Sequence, residues 1–168
     1  SSRHCEVSER FREHVEDKLG RLEKHDHRII RVEVLLERER DQMLKIDPIA
    51  RVRAVAAKAD LRLVGVGQMD RQAQVHIDGF VSREELLEMM RLGAVGELIG
   101  WAFDEEGHLI KGGTNLRLTS IPPQVPAEAL TIGAAVGRAK VSAIRAALKG
   151  RLLNGLITDE ATAGAILK

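Results

Sequence analysis

The sequence predicts an α/β fold, a parallel half-sheet with flanking helices, and three observations carry that prediction. From Leu130 to the end, apolar strands and helices alternate twice. The stretch LRLVGVGQM (61–69) is a mostly apolar strand, the pattern of a strand covered on both faces. The amino-terminal quarter instead joins a charged amphipathic helix to a strand that alternates apolar and charged residues, a unit able to complete a half-sheet.

Taken in order, Ser8 is a good N-cap and Glu9 suits the first turn of a helix. Phe11, Val15, Leu19 and Leu22 recur at helical spacing, and the helix should end near Lys24. From Arg28, Ile30, Val32, Val34 and Leu36 alternate with Arg31, Glu33 and Glu37, the period of a half-buried strand. The style changes near Gln42, which divides the chain into segments 1–42 and 43–168. Asp47 as N-cap and Pro48 at the first position open a second helix with Ile49, Val52, Val55 and Ala56 on one face. The strand 61–69 ends in Gly65 and Gly67, as strands do where the backbone turns beside a ligand or helix. Ser82 and Glu85 form a capping box, and Gly93 can terminate the helix that ends near Leu92. ELIGWAFDEEGHLI reads as two short strands around an Asp-Glu-Glu-Gly turn, and TSIPPQVPAEA as a connector. Leu130–Val136 is a strand, Lys140–Leu148 a helix closed by Gly150, Leu152–Ile157 a strand and Asp159–Leu167 a helix.

Composition bounds the function. A chain of 168 residues suits one ordinary domain. A formal net charge of +1 argues against bare DNA or an anionic membrane as partner. Aromatics at 2% leave no platform for stacking on single-stranded nucleic acid. The single cysteine, Cys5, cannot form an internal disulfide. No apolar run reaches the roughly 20 residues that span a bilayer, and no leader precedes the first helix, so a soluble cytoplasmic protein is expected. Segment 1–42 holds ten Lys or Arg against eleven Asp or Glu, a solvated face rather than an RNA-binding one.

Few groups carry chemistry. A strand opening through small residues, Gly133 to Gly137, into a helix leaves backbone N–H groups free for a phosphate or carboxylate, and Lys140 could reach the same anion. The alternative is a tight turn with a solvated lysine. In GAVGELIG, Gly96 and Glu97 sit among small and apolar residues; the carboxylate accepts sugar hydroxyls or lies exposed on a loop. Asp159 follows a strand, at the carboxyl edge where ligands of α/β sheets bind, but an ordinary N-cap is the favoured reading on the residues alone. His25 and His27 lack a third ligand at metal spacing, and there is no Gly-x-Ser-x-Gly elbow. No metal, cofactor or catalysis is expected.

Two resemblances sharpen these expectations. RHCEVSERFREHVEDKLGRLEKHDHRIIRVEVLLERERD (3–41) resembles the start of a ribosome hibernation-promoting factor, whose strand–helix–strand order it follows with the first strand clipped. ADLRLVGVGQM, DGFVSREELLEMMRLGAVGELIGWAFDEEGHLI and GRAKVSAIRAALKGRLLNGLITDEATAGAIL resemble the effector-binding domain of SorC/DeoR-type sugar-responsive transcriptional regulators, in its carboxyl half. The second resemblance implies a Rossmann-like fold that binds free or phosphorylated sugars. It implies that Glu97 contacts the sugar and Lys140 belongs to the sugar or phosphate loop. Here Val136 stands where the family has a further glycine before Gly137. The family's amino-terminal half and its helix-turn-helix are not in the sequence. Together the resemblances imply a join between two families.

The function expected is a sugar or sugar-phosphate effector-binding module with Gly65, Gly67, Gly96, Glu97, Gly137, Lys140 and Asp159 around the ligand. A homodimer is expected, with no direct DNA binding and no membrane partner. A ribosome-associated protein, or a scaffold without ligand, is the alternative, and the balanced charge disfavours the ribosome.

Overall fold

The computed structural model describes residues 40–168, together with Glu9 and Glu13, which are helical and exposed. The helix expected from Ser8 to Lys24 otherwise lies outside the described residues, as do the strand of Ile30 to Leu36, Cys5, His25 and His27. Whether segment 1–42 completes the sheet is therefore not part of the fold described below.

A short helix α1 (Arg40–Met43) leads into α2 (Asp47–Ala57). Pro48 occupies the first turn as expected, but the N-cap is Ile46; Asp47 is already helical and its carboxylate pairs with Arg51 at 2.9 Å, one turn on. The first strand, β1 (Leu61–Gln68), is followed by the single turn α3 (Gln74–Ile77) and by α4 (Arg83–Arg91). The capping box at α4 is complete: Ser82 Oγ accepts from Glu85 N–H, and the Glu85 carboxylate accepts from Ser82 N–H. Gly93, with φ +91°, ends it.

Next come β2 (Gly96–Leu98) and β3 (Trp101–Phe103). They are the two short strands expected, but the Asp-Glu-Glu-Gly turn does not join them. Ile99 and Gly100, with φ +48° and +91°, form a two-residue hairpin turn, and 104–107 turns the chain afterwards so that Leu109 bridges back to Phe103. β4 (Leu130–Ala134), α5 (Val141–Lys149), β5 (Gly155–Ile157) and α6 (Glu160–Ile166) then alternate as predicted. Leu152 and Leu153 precede β5 and are buried beside it.

The five strands form one sheet in the order β3-β2-β1-β4-β5. β1, β4 and β5 are parallel, which is the half-sheet expected, whereas β2 and β3 pair antiparallel. The sheet is thus mixed. A two-residue connection can only join antiparallel neighbours, and a parallel pair needs a crossover such as α5.

Register sorts the side chains onto two faces. Val66, Leu98 and Phe103 point toward α5 and meet Ala143, Ile144 and Ala147, with Leu152 and Leu153 closing that core. The opposite face is covered over β3 by a second cluster, Leu86 and Met89 of α4 with Met69, Ala73, Ala102 and Ile110. Asn115 pins its base: buried, it accepts from Ala102 N–H and donates to the Ala102 and Ile110 carbonyls, each at 2.9 Å. Over β1, β4 and β5 the same face is bare among the described residues. Leu63 is 65% exposed, Leu61 and Ile157 57% and Leu130 50%. The expected apolar face of α2 is likewise unburied, with Val55 74% exposed.

Candidate functional site

The carboxyl edge of the three parallel strands is where the chemistry-bearing groups gather, as it does in open α/β sheets. Glu97 reaches this edge from β2, opposite Gly67 of β1. A Cβ on Gly67 would collide with the Glu97 carboxylate, so the glycine makes room for the carboxylate to lie across β1. Glu97 Oε2 accepts a 2.7 Å bond from Gly100 N–H, which ties the side chain to its own hairpin turn. That turn is strained, because a β-branched residue at φ +48° is rarely seen. Burial pushes the Glu97 carboxyl above its ordinary value, and the Gly100 bond and the Lys140 charge oppose that push. A half-buried carboxylate with one lone-pair direction spent and a cation close by is built to accept from hydroxyl groups.

Lys140 stands at the end of a single 3₁₀ turn (Arg138–Lys140) that follows β4 and runs directly into α5. It is half-buried and acts as the N-cap position of α5, and no side chain caps that helix end. The amino end of α5 therefore adds partial positive charge to the lysine's. Gly137 is less available than expected. Its N–H donates to Thr162 Oγ1 at 2.8 Å, so this amide is occupied; its φ of +107° explains the glycine. Thr162 in turn donates its N–H to Asp159 Oδ1 at 2.6 Å.

Asp159 is thereby the N-cap of α6, exposed, its carboxyl held below the ordinary value by the Thr162 N–H and hydroxyl. Of the two readings open for it, the geometry supports the cap. Gly65 and Gly67 lie inside β1 rather than at its end, since the strand runs on to Gln68. Gly65 faces open space on the bare side of the sheet. Gly96 is buried for packing: a Cβ there would come within 2.6 Å of both Ala143 Cβ and Phe103 Cζ. The structure thus brings Gly67, Glu97 and Lys140 together and gives Gly96, Gly137 and Asp159 supporting roles.

Two groups at this edge were missed. Gln68 Oε1 at the carboxyl end of β1 and Thr158 Oγ1 just past β5 are buried with no hydrogen-bond partner. Buried polar atoms are rarely left so, and each keeps hydrogen-bonding capacity unspent. The signal in the sequence was a polar residue directly after an apolar strand. Among the described residues, no group of three His, Cys, Asp or Glu could hold a metal, and no helix is long and apolar enough to cross a membrane.

The carboxyl edge of this mixed α/β sheet thus gathers a carboxylate, a lysine and an uncapped helix end, groups whose chemistry suits polyhydroxylated or anionic small molecules. The profile of the family described as "Putative sugar-binding domain" matches residues 2–168, and the chain belongs to that family. The erythritol catabolism regulatory protein EryD of Brucella abortus (strain 2308) is 34% identical over 129 residues, 77% of this chain and 41% of that protein. The transcriptional regulator LsrR of Enterobacter sp. (strain 638) is 37% identical over 123 residues, 67% of this chain and 36% of that protein. The full-length sorbitol operon regulator SorC of Klebsiella pneumoniae superposes with a TM-score of 0.67 at 28% identity, over 77% of this chain and 42% of that one. The chain spans about two fifths of the curated relatives it matches.

The resemblance to the sugar-binding domain of SorC/DeoR-type regulators therefore holds. The join does not gain support. The family profile runs from residue 2 across the change of style near Gln42 without a break, and nothing in these findings supports a hibernation-factor segment.

Proposed function

We propose that this chain binds a sugar or sugar phosphate as the effector module of a transcriptional regulator, with Glu97 and Lys140 as its principal contacts. Glu97 accepts from ligand hydroxyls, and Lys140 with the amino end of α5 meets the anionic or most electron-rich end. Gln68 and Thr158 supply further hydrogen bonds from the strand ends. The observation that carries this reading is the Glu97 carboxylate held half-buried across Gly67, by its bond to Gly100, within reach of the Lys140 charge. Family membership supports the sugar class, and relatives named for erythritol catabolism and the sorbitol operon favour a polyol or its phosphate. The module binds without turnover, and its relatives' role as regulators supports this. A dimer and a cytoplasmic location fit a regulator of this type.

Calorimetry against four- to six-carbon polyols and sugars, free and phosphorylated, tests the assignment. Lys140→Ala should weaken a phosphorylated ligand at least tenfold and its free counterpart much less. Equal loss for both, or no loss for either, removes Lys140 from the site.

A further inference from the structure

The loop that carries Lys140 has little to hold it. Ala135 N–H still donates to the Ile157 carbonyl at 3.1 Å, but the chain then leaves the sheet and residues 136–139 are exposed. Among the described residues, one hydrogen bond ties these four to another element, that from Gly137 N–H to Thr162 Oγ1 of α6 at 2.8 Å. Gly137 is also the residue on which Lys140 rests. Its carbonyl accepts the Lys140 N–H at 3.1 Å and closes the single 3₁₀ turn. A Cβ at Gly137 would meet nothing within 4 Å, so side-chain packing does not fix this peptide. The bond to Thr162 does.

Thr162 is itself firmly placed. It is 2% exposed, its N–H donates to Asp159 Oδ1 at 2.6 Å, and its hydroxyl bonds to the same carboxylate. A hydroxyl has one proton to give and lone pairs with which to receive, so Thr162 gives its proton to Asp159 and receives Gly137. An ionised acceptor polarises the hydroxyl and strengthens the bond that it receives. At its other end α6 is held to α5 by Arg145, which donates to the Ile166 and Ala165 carbonyls at 3.0 and 2.6 Å.

We propose that Thr162 is the positioning residue for the anionic end of the effector: through Gly137 it sets Lys140 and the amino end of α5 where a phosphate is met, and Asp159 orients its hydroxyl. The inference rests on the effector reading above and adds to it a residue that need not touch the ligand. Without the hydroxyl, Gly137 is released, and the lysine and the helix end must be ordered when the ligand binds. That cost falls on a phosphate and spares the ligand hydroxyls received by Glu97.

Calorimetry on the full chain, with sorbitol 6-phosphate and sorbitol as probes, tests this. Thr162→Val keeps the side chain's shape and removes the hydroxyl; it should weaken the phosphorylated probe about tenfold or more and sorbitol less than about twofold. Thr162→Ser returns the hydroxyl and should restore the phosphorylated probe to within about twofold of the unsubstituted chain. Asp159→Asn keeps an oxygen to cap α6 and removes only the charge, so it should weaken the phosphorylated probe about threefold in a chain that still folds. Amide hydrogen exchange without ligand reads the relay directly: exchange at Gly137 and Lys140 should quicken about tenfold in Thr162→Val and return in Thr162→Ser. Unchanged exchange in Thr162→Val overturns the proposal, as does equal loss of both probes or a loss that Thr162→Ser does not rescue. Binding that needs Lys140 but is indifferent to Thr162→Val sinks this inference alone. Failure of both probes to bind the unsubstituted chain counts against the effector reading and takes the inference with it.

Discussion

The two faces of the central sheet are written in nearly the same alphabet and meet different surroundings. On one, Val66, Leu98 and Phe103 are sealed beneath α5. On the other, Leu61, Leu63, Leu130 and Ile157 stand in the open among the described residues. Apolar content along a strand therefore states a need for cover and not its source. On the sealed face the source is local, because α5 lies between the two strands, β4 and β5, that it crosses. On the open face α2 and α6, which flank β1 and β5 in the chain, leave these side chains exposed. The candidate site occupies the boundary, where Glu97 leans over β1 at the point where the cover from α4 ends.

Deleting bulk on each face is the strongest way to break this contrast. Phe103→Ala, at a fully buried position, should cost about 3–5 kcal/mol and leave little folded protein at 37 °C. Leu63→Ala, at a position 65% exposed, should cost less than about 1 kcal/mol. Urea melts of both variants measure the difference, and a Leu63→Ala cost of about 2 kcal/mol or more, the range of a buried leucine, would mean that the face is covered in solution.

Backbone approach sharpens the contrast on the sealed side. Gly107 has φ +79°, and a Cβ there would lie 2.5 Å from the Ala146 carbonyl oxygen and the Gly150 Cα. The turn after β3 is thus pressed against the last turn of α5, with the Lys149–Glu106 ion pair beside it. Gly107→Ala should destabilise by about 3 kcal/mol through strain and overpacking together, roughly 6–12 °C in Tm. Calorimetric melting reads this, and a shift under 2 °C would show that the contact is loose.

Particular residues show what the sequence could and could not disclose. The capping box at Ser82 and Glu85, the stop at Gly93 and the alternation after Leu130 were legible because each depends on neighbours a few residues away. Glu97 and Lys140 were legible as site candidates through their motifs. The antiparallel wing was half legible: two short strands were evident, but the acidic turn outcompeted Ile99–Gly100 as the hairpin, since isoleucine is a poor candidate for positive φ. In the sequence Gly96 and Gly67 both read as glycines beside a ligand. Only pairing across strands separates the one that admits a helix from the one that admits a carboxylate. The bonds of Asn115 to Ala102 and Ile110 and of Thr162 to Gly137 depend on tertiary placement and left no local trace.

The smallest effect expected is the pH response of the boundary itself. Burial raises the Glu97 carboxyl above its ordinary value of 4.5, so the folded chain holds that proton at pH values where the unfolded chain has lost it. More protons bound in the folded state means that stability falls as pH rises through this window, and the penalty of the buried charge stays at its full size above it. Glu84 and Asp159 run the other way. Their carboxyls are lowered from 4.5 and 3.8, by hydrogen bonds, so their stabilisation is complete above those values and is lost only on further acidification. Between pH 4.5 and 7 the downward slope therefore belongs to Glu97 among these three. Glu97→Gln should flatten the Tm profile across that range, raise Tm at pH 7 and abolish effector binding. Lys140→Met removes a cation that favours the ionised carboxylate, so it should carry the slope to higher pH. A Glu97→Gln profile parallel to that of the unsubstituted chain would place the carboxylate in water, and the accommodating role of Gly67 would fall with it.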